Sequence, residues 1–208
     1  MDFMQRTAEL NHQGVNYLSA AHQAPVTHSE ALSCFKSALS ILSAACDDGS
    51  ASTGTRNGAQ PLRINIYKSN PVVLSPSNTH RHAFYMTCGE AAQSYEACSA
   101  ESAVLLFNLA LGLHQKGSWL RDEMCLHRAS LLYEHSLELL SAVGNCFAHA
   151  EEVTVEALKN LADIYSKIGN ESGLRCVLDA LVLLNVRRVI HQQDLVSPPG
   201  NEWPAAAA

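Results

Sequence analysis

The stretches Asn108-Leu109-Ala110 and Asn160-Leu161-Ala162 decide the fold class, because one spacing of small and large residues recurs around both. In each stretch the alanine is followed three residues later by a large side chain, Leu113 or Tyr165. The segment 14–17 has the same spacing, with a glycine and then a tyrosine. Residues three or four apart share one face of a helix, and a small residue on that face lets a second helix cross closely. The sequence therefore predicts three helices that each receive a crossing partner.

Each of these helices is followed by a second helix with apolar residues at the same helical spacing. In the first two pairs the second helix has a small residue four positions before an aromatic one, as in Ala31 and Phe35 or Ala129 and Tyr133. The third pair has leucine at both positions. We predict helices over residues 2–23, 29–46, 99–116, 120–142, 149–168 and 172–192.

This spacing resembles the tetratricopeptide repeat, whose pattern is Trp-x2-Leu-Gly-x2-Tyr followed by Ala-x3-Phe. The resemblance covers residues 8–46 and 101–185, and Gly169 matches the glycine that this family often places at its inter-helix turn. The chain departs from the pattern because leucine replaces the opening tryptophan, at residues 10, 106 and 158. The resemblance implies an all-α fold, a short right-handed α-solenoid of three helix hairpins. The alternative is an unrelated helical bundle whose spacing reflects only the helical period.

Residues 47–98 are predicted to form an insertion between the first and second helix pairs. Residues 47–60 are rich in Gly, Ser, Thr and Asn, so we expect a flexible loop there. Residues 62–67 alternate apolar and polar side chains, the chain can turn at 68–71, and residues 72–74 and 83–87 can form two further short strands. We therefore predict a small β-ribbon over residues 62–88. We expect the first helix pair to dock on the others through this ribbon. The chain then forms one domain over residues 1–196, followed by a disordered tail at 197–208.

Composition limits the classes of partner. The 208 residues include 47% hydrophobic and 16% charged side chains and carry a net charge of -6, which gives no cationic surface for nucleic acid. The sequence contains no run of 18 apolar residues, so we expect no membrane span. The first residues lack the apolar core of a signal peptide, and the seven cysteines follow no disulfide pattern. We predict an intracellular protein, cytoplasmic or nuclear, with reduced thiols.

The resemblance to tetratricopeptide repeats also implies a function. Members of that family are mostly non-enzymatic, and their first helices line a concave groove that holds a peptide or a partner helix. The chain is therefore expected to be a protein–protein interaction scaffold or adaptor. The groove positions map to Asn11, Asn108, His114, Gln115, Lys159, Asn160, Asp163 and Lys167. The two repeated asparagines can bond a peptide backbone through their donor and acceptor groups, or they can bridge neighbouring helices.

Catalytic and metal sites have weaker support in the sequence. His80 and His82 are close in sequence, but Cys88 and Cys98 do not form the second tight ligand pair that zinc sites usually show. No phosphate loop, dinucleotide fingerprint, serine elbow or metalloprotease helix is present, so we predict no catalytic residue, no metal and no cofactor. Two alternatives remain: a structural subunit that self-associates through its apolar C-terminal helix, and an enzyme of unrecognised type.

Overall fold

Helices make up most of the secondary structure of the chain. The computed structural model describes residues 3–21, 26–47, 64–73, 80–88, 95–144 and 147–196. Its helices are α1 (Phe3–Ala20), α2 (Val26–Asp47), α3 (Tyr95–Leu120), α4 (Glu123–Val143), α5 (Ala150–Lys167) and α6 (Glu171–Val196). Its strands are β1 (Ile64–Val73) and β2 (His80–Cys88). The predicted all-α class is confirmed, with one small sheet added to it.

The boundary between α3 and α4 differs from the prediction. We expected a break at Gly117 and Ser118, but α3 continues to Leu120. A Cβ atom at Gly117 would lie 2.9 Å from Leu126 Cδ2 and 3.0 Å from the Asp122 carbonyl oxygen, so this glycine serves close packing against α4. The Asp122 side chain then caps α4 by accepting a hydrogen bond from the Cys125 N–H.

Every helix packs against the next one along the chain, and α3 also contacts both α1 and α5. The first pair therefore packs directly on the second through α2 and α3, and the expectation that it docks only through the ribbon is wrong. Gly112 explains the direct contact, because a Cβ atom there would lie 2.9 Å from Leu32 Cδ2. A glycine in α3 thus gives a side chain of α2 the room to approach.

The predicted ribbon exists as an antiparallel β-hairpin of two strands. The expected turn at 68–71 is wrong, because β1 runs through to Val73 with an irregular register between Lys68 and Pro71. Two hydrogen bonds hold this irregular stretch against β2: the Ser69 hydroxyl accepts from Ala83 N at 3.0 Å, and His82 Nδ1 lies 2.9 Å from the Ser69 carbonyl oxygen. The loop predicted over 47–60, apart from the end of α2, and the tail at 197–208 lie outside the described residues.

One hydrophobic core joins the helices and the β-hairpin. The rings of Phe84 in β2, Phe107 in α3 and Tyr133 in α4 pack edge to face, with centroids 5.0 and 5.4 Å apart. Within the described ranges, one helix (Glu96–Leu120) has the length and apolar character of a membrane span, but 78% of its apolar window is buried. A helix at the centre of a core passes the same test, and α3 occupies that position.

Candidate functional site

The inner face formed by α1, α3 and α5 carries all eight residues that the sequence assigned to a groove. The structure places the β-hairpin against this face, where its strands contact α1 and α3. Five of the eight residues are completely buried: Asn11, Asn108, His114, Gln115 and Asn160. The other three, Lys159, Asp163 and Lys167, lie on the part of α5 that remains partly or fully exposed. The chain's own hairpin therefore occupies the surface that we expected a partner to contact.

Asn108 binds the backbone of β2 through both ends of its side-chain amide. Its Oδ1 accepts from Phe84 N at 2.9 Å, and its Nδ2 donates to Phe84 O at 2.8 Å. The same Nδ2 lies 2.8 Å from Asn11 Oδ1, and Asn11 Nδ2 donates to Phe84 O at 2.9 Å. The Phe84 backbone groups face away from β1, so Asn108 takes the place that a third strand would hold at this edge. The bonding expected for a bound peptide occurs here with the chain's own strand.

Polar contacts also hold the hairpin to α1 and α5, the first helices of the first and third predicted pairs. Arg81 Nε donates to Asn160 Oδ1 of α5 at 2.8 Å, and the Tyr85 hydroxyl donates to Asn16 Oδ1 of α1 at 2.7 Å. Lys68 of β1 reaches two carboxylates of α5, 3.2 Å from one at residue 152 and 3.7 Å from the other at residue 156. The hairpin is therefore attached to one helix of each predicted pair. In this arrangement no external peptide can reach the buried amides.

A second polar cluster links α3 to α5 beside the hairpin. His114 Nε2 lies 2.8 Å from Asp163 Oδ2, and Lys167 Nζ donates to the same oxygen at 2.7 Å. Burial lowers the pKa of His114, so the ring is neutral near pH 7 and donates from Nε2. Burial alone would raise the pKa of Asp163, but hydrogen bonds from His114 and Lys167 outweigh it and lower that pKa. The cluster thus holds one partly buried carboxylate between two donors, an arrangement that fastens two helices together.

The neutral state of His114 predicts a loss of stability in mild acid. Its pKa in the folded protein lies below the ordinary value of 6.5, so the unfolded chain binds more protons as the pH falls through 6.5. For one titrating group, the free energy of unfolding falls by at most about 1.4 kcal/mol per pH unit. We expect His114→Gln, which keeps a donor for Asp163 without titrating, to flatten the fall in unfolding free energy between pH 7 and 5. Urea unfolding at pH 7 and at pH 5 measures this change in unfolding free energy. Equal slopes for His114→Gln and the exposed control His135→Gln would contradict this role.

The residues considered for metal binding or reactive chemistry have other surroundings. His82 Nδ1 lies beside the Ser69 carbonyl oxygen, and Cys98 is buried in α3. The described part of the chain contains no group of three or more His, Cys, Asp or Glu side chains arranged around a common point. Burial raises the pKa values of Cys34 and Cys125, which disfavours their thiolate forms.

The outer face of α6 exposes a row of apolar side chains. Six apolar side chains there are between 48% and 69% exposed: Leu178, Val182, Leu183, Val186, Val189 and Ile190. They lie on the side of α6 opposite the buried Val177, at spacings of three, four and seven residues. The sequence identified the apolar character of this helix, but only the structure separates its exposed side from its packed side. Comparison of the chain with protein-family models, with curated proteins and with solved structures gave no match.

Proposed function

We propose that the chain is a non-catalytic protein-interaction scaffold, a short right-handed α-solenoid of the tetratricopeptide type that pairs with a second copy through α6. The observation that carries this proposal is the row of six exposed apolar side chains on α6. The order in which the helices pack supports the solenoid, because each helix contacts the next one along the chain and α3 contacts both α1 and α5. An adaptor that binds a peptide in the predicted groove would require the β-hairpin to leave the face of α1, α3 and α5 first.

The exposed face has a free-energy reason to be covered. Fully burying a valine or leucine side chain stabilises by about 1.5–3 kcal/mol, so each half-exposed residue of this face would gain about 1 kcal/mol on association. Isolated exposed apolar residues are common, whereas a contiguous apolar patch marks an interaction site. In a repeat array, the helix at the end of the stack normally presents a polar face to water. Helix α6 instead presents six exposed apolar side chains among exposed polar ones such as Arg175 and Asn185.

A second copy is the occupant that we favour, and α6-to-α6 contact is the geometry. The opposite end of the chain is polar, because the exposed side of α2 is mainly serine with Glu30 and Lys36, so a head-to-tail stack would place apolar against polar surface. Two α6 helices that pair antiparallel about a two-fold axis near Leu184 bring Val182 against Val186 of the partner subunit. The same arrangement brings Leu178 against Ile190 of the partner subunit.

Charge complementarity supports the same arrangement. Asp179 and Arg187 are exposed beside the apolar row, and neither has an ion pair with any residue that the structure describes. In the antiparallel pair, Asp179 lies within about one helical turn of Arg187 of the partner subunit, on the same side of the interface. Two such pairs, related by symmetry, would then fix the register of the two helices.

Sedimentation equilibrium tests this proposal. We expect the wild-type chain to be a dimer, and Val182→Glu with Val186→Glu to be a monomer with an unchanged circular dichroism spectrum. The matched control places the same charges on α2, as Ser37→Glu with Ser40→Glu, and should leave the dimer intact. Asp179→Arg and Arg187→Asp should each weaken association, and the two together should restore it. A wild-type chain that stays monomeric at its highest soluble concentration would contradict the proposal.

A further inference from the structure

A cavity of about 320 Å³ lies at the end of the helix stack where α1 stops, between α2 and α3. Its walls include Ala21 after α1, Leu32 of α2, and Lys116, Trp119 and Leu120 from the last turn of α3. The close contact between Gly112 and Leu32 lies one turn before Lys116 on α3. Beyond that contact, the small side chain of Ala21 leaves space between the helices. This cavity is separate from both the hairpin-filled inner face and the α6 face.

The walls of the cavity combine apolar side chains with a positively charged one. Leucine, alanine and an indole ring supply an apolar surface, and the volume is at the lower end of small-molecule sites. Lys116 adds a half-buried cation that forms no ion pair with any described carboxylate. Asp122, whose carboxylate interacts electrostatically with Lys116, accepts a hydrogen bond from the Cys125 N–H at the start of α4. A cation at an apolar cavity favours a ligand that joins a negative group to an apolar body.

We propose that this cavity binds a small free carboxylic acid with an aromatic or branched apolar body. The ammonium group of Lys116 pairs with the carboxylate, while Leu32 and the Trp119 ring cover the apolar part. A carboxylate fits better than a phosphate ester, because the described lining residues, which also include His28 and Ser29, hold one lysine and no arginine, and one ammonium group matches one negative charge. The proposal is independent of the pairing through α6, and a variant that fails to dimerise can still bind the acid.

Tryptophan fluorescence measures the binding, because Trp119 lines the cavity and the chain's other tryptophan, Trp203, can be replaced. In a Trp203→Phe background, titration with phenylbutanoate should change the Trp119 emission to saturation. The neutral analogue phenylbutanol should bind about 5–10-fold more weakly, since it keeps the apolar body and loses the charge. Lys116→Gln should remove this preference for the acid, and the matched control Lys36→Gln on α2 should retain it.

A variant that fills the cavity distinguishes binding inside the cavity from nonspecific binding. Ala21→Leu should abolish the response to both compounds, with an unchanged thermal melting curve as the check that the variant folds. Equal affinity for phenylbutanoate and phenylbutanol, or no saturable change with either, would overturn the proposal. Tighter binding of acetyl-glycyl-phenylalanine than of phenylbutanoate would also overturn it, by assigning the cavity to the C-terminus of a peptide.

Discussion

Asn108→Ala is expected to lower the free energy of unfolding by about 3–5 kcal/mol, one of the two largest effects of a single substitution in this chain. The substitution removes the partner of the Phe84 N–H and one of the two donors to the Phe84 carbonyl group. It also leaves Asn11 Oδ1 without its donor, and all three groups are buried. An unpaired buried donor or acceptor costs about 1–3 kcal/mol. Urea unfolding, followed by circular dichroism, measures the change.

Two further variants make the Asn108 prediction specific. Asn108→Asp keeps the acceptor for Phe84 N but places a second oxygen against the Phe84 carbonyl and Asn11 Oδ1, so it should destabilise more than alanine at neutral pH. Asn16→Ala removes the exposed amide that binds the Tyr85 hydroxyl and should cost at most about 1 kcal/mol. Similar losses for Asn108→Ala and Asn16→Ala would show that the buried amide does not hold the hairpin.

Gly14→Ala is expected to destabilise by about 2–3 kcal/mol, because it overfills the crossing of α1 and α2. A Cβ atom at this position would lie 2.5 Å from Phe35 Cε1 and 2.8 Å from Phe35 Cζ. The Phe35 ring is fully buried, so it has no solvent to move into. Alanine is the better helix former by about 1 kcal/mol, and that gain only partly offsets the clash. Thermal and urea unfolding measure the net change.

Gly112→Ala is the matched control, since it makes the same change inside a helix. Its Cβ atom would meet the end of the flexible Leu32 side chain at 2.9 Å and no other atom closer than 3.6 Å. It should therefore be tolerated within about 1 kcal/mol. Phe35→Leu combined with Gly14→Ala should be less destabilising than the sum of the two single changes. Full additivity would mean that Gly14 and Phe35 do not meet as described.

The sequence predicted the helices because their periodicity is long and their ends carry local signals. Gly144 after α4 is such a signal, and the structure holds it at a positive φ of 59°. The prediction began α4 at residue 120 and so missed the side-chain cap at Asp122. Gly117 misled the prediction, since a glycine that ends a helix and a glycine that admits a neighbouring side chain look the same in sequence. Only the position of Leu126 distinguishes them.

The placement of the β-hairpin could not be predicted from local patterns. The alternation over residues 62–67 identified a ribbon, but it carries no information about which helices the ribbon contacts. Asn108 was predicted to bond the backbone of a bound peptide or to bridge helices, whereas in the structure it bonds the Phe84 backbone, 24 residues earlier in the same chain. The contact between Arg81 and Asn160 spans 79 residues. Such distant pairings depend on tertiary packing, which one sequence does not encode in any short motif.

The attachment of the hairpin to three different helices has a consequence for how the fold comes apart. Helical repeats that touch only their neighbours can melt from one end while the rest stays intact. Here the strands bridge α1, α3 and α5, and one amide contact joins residues 97 positions apart. Fraying of α5 and α6 would therefore remove the α5 partners of Arg81 and Lys68. The β-hairpin would then be less firmly held, and its contacts with α1 would weaken as well. The hairpin connects early and late segments of the chain, so we expect the protein to melt in a single transition rather than repeat by repeat.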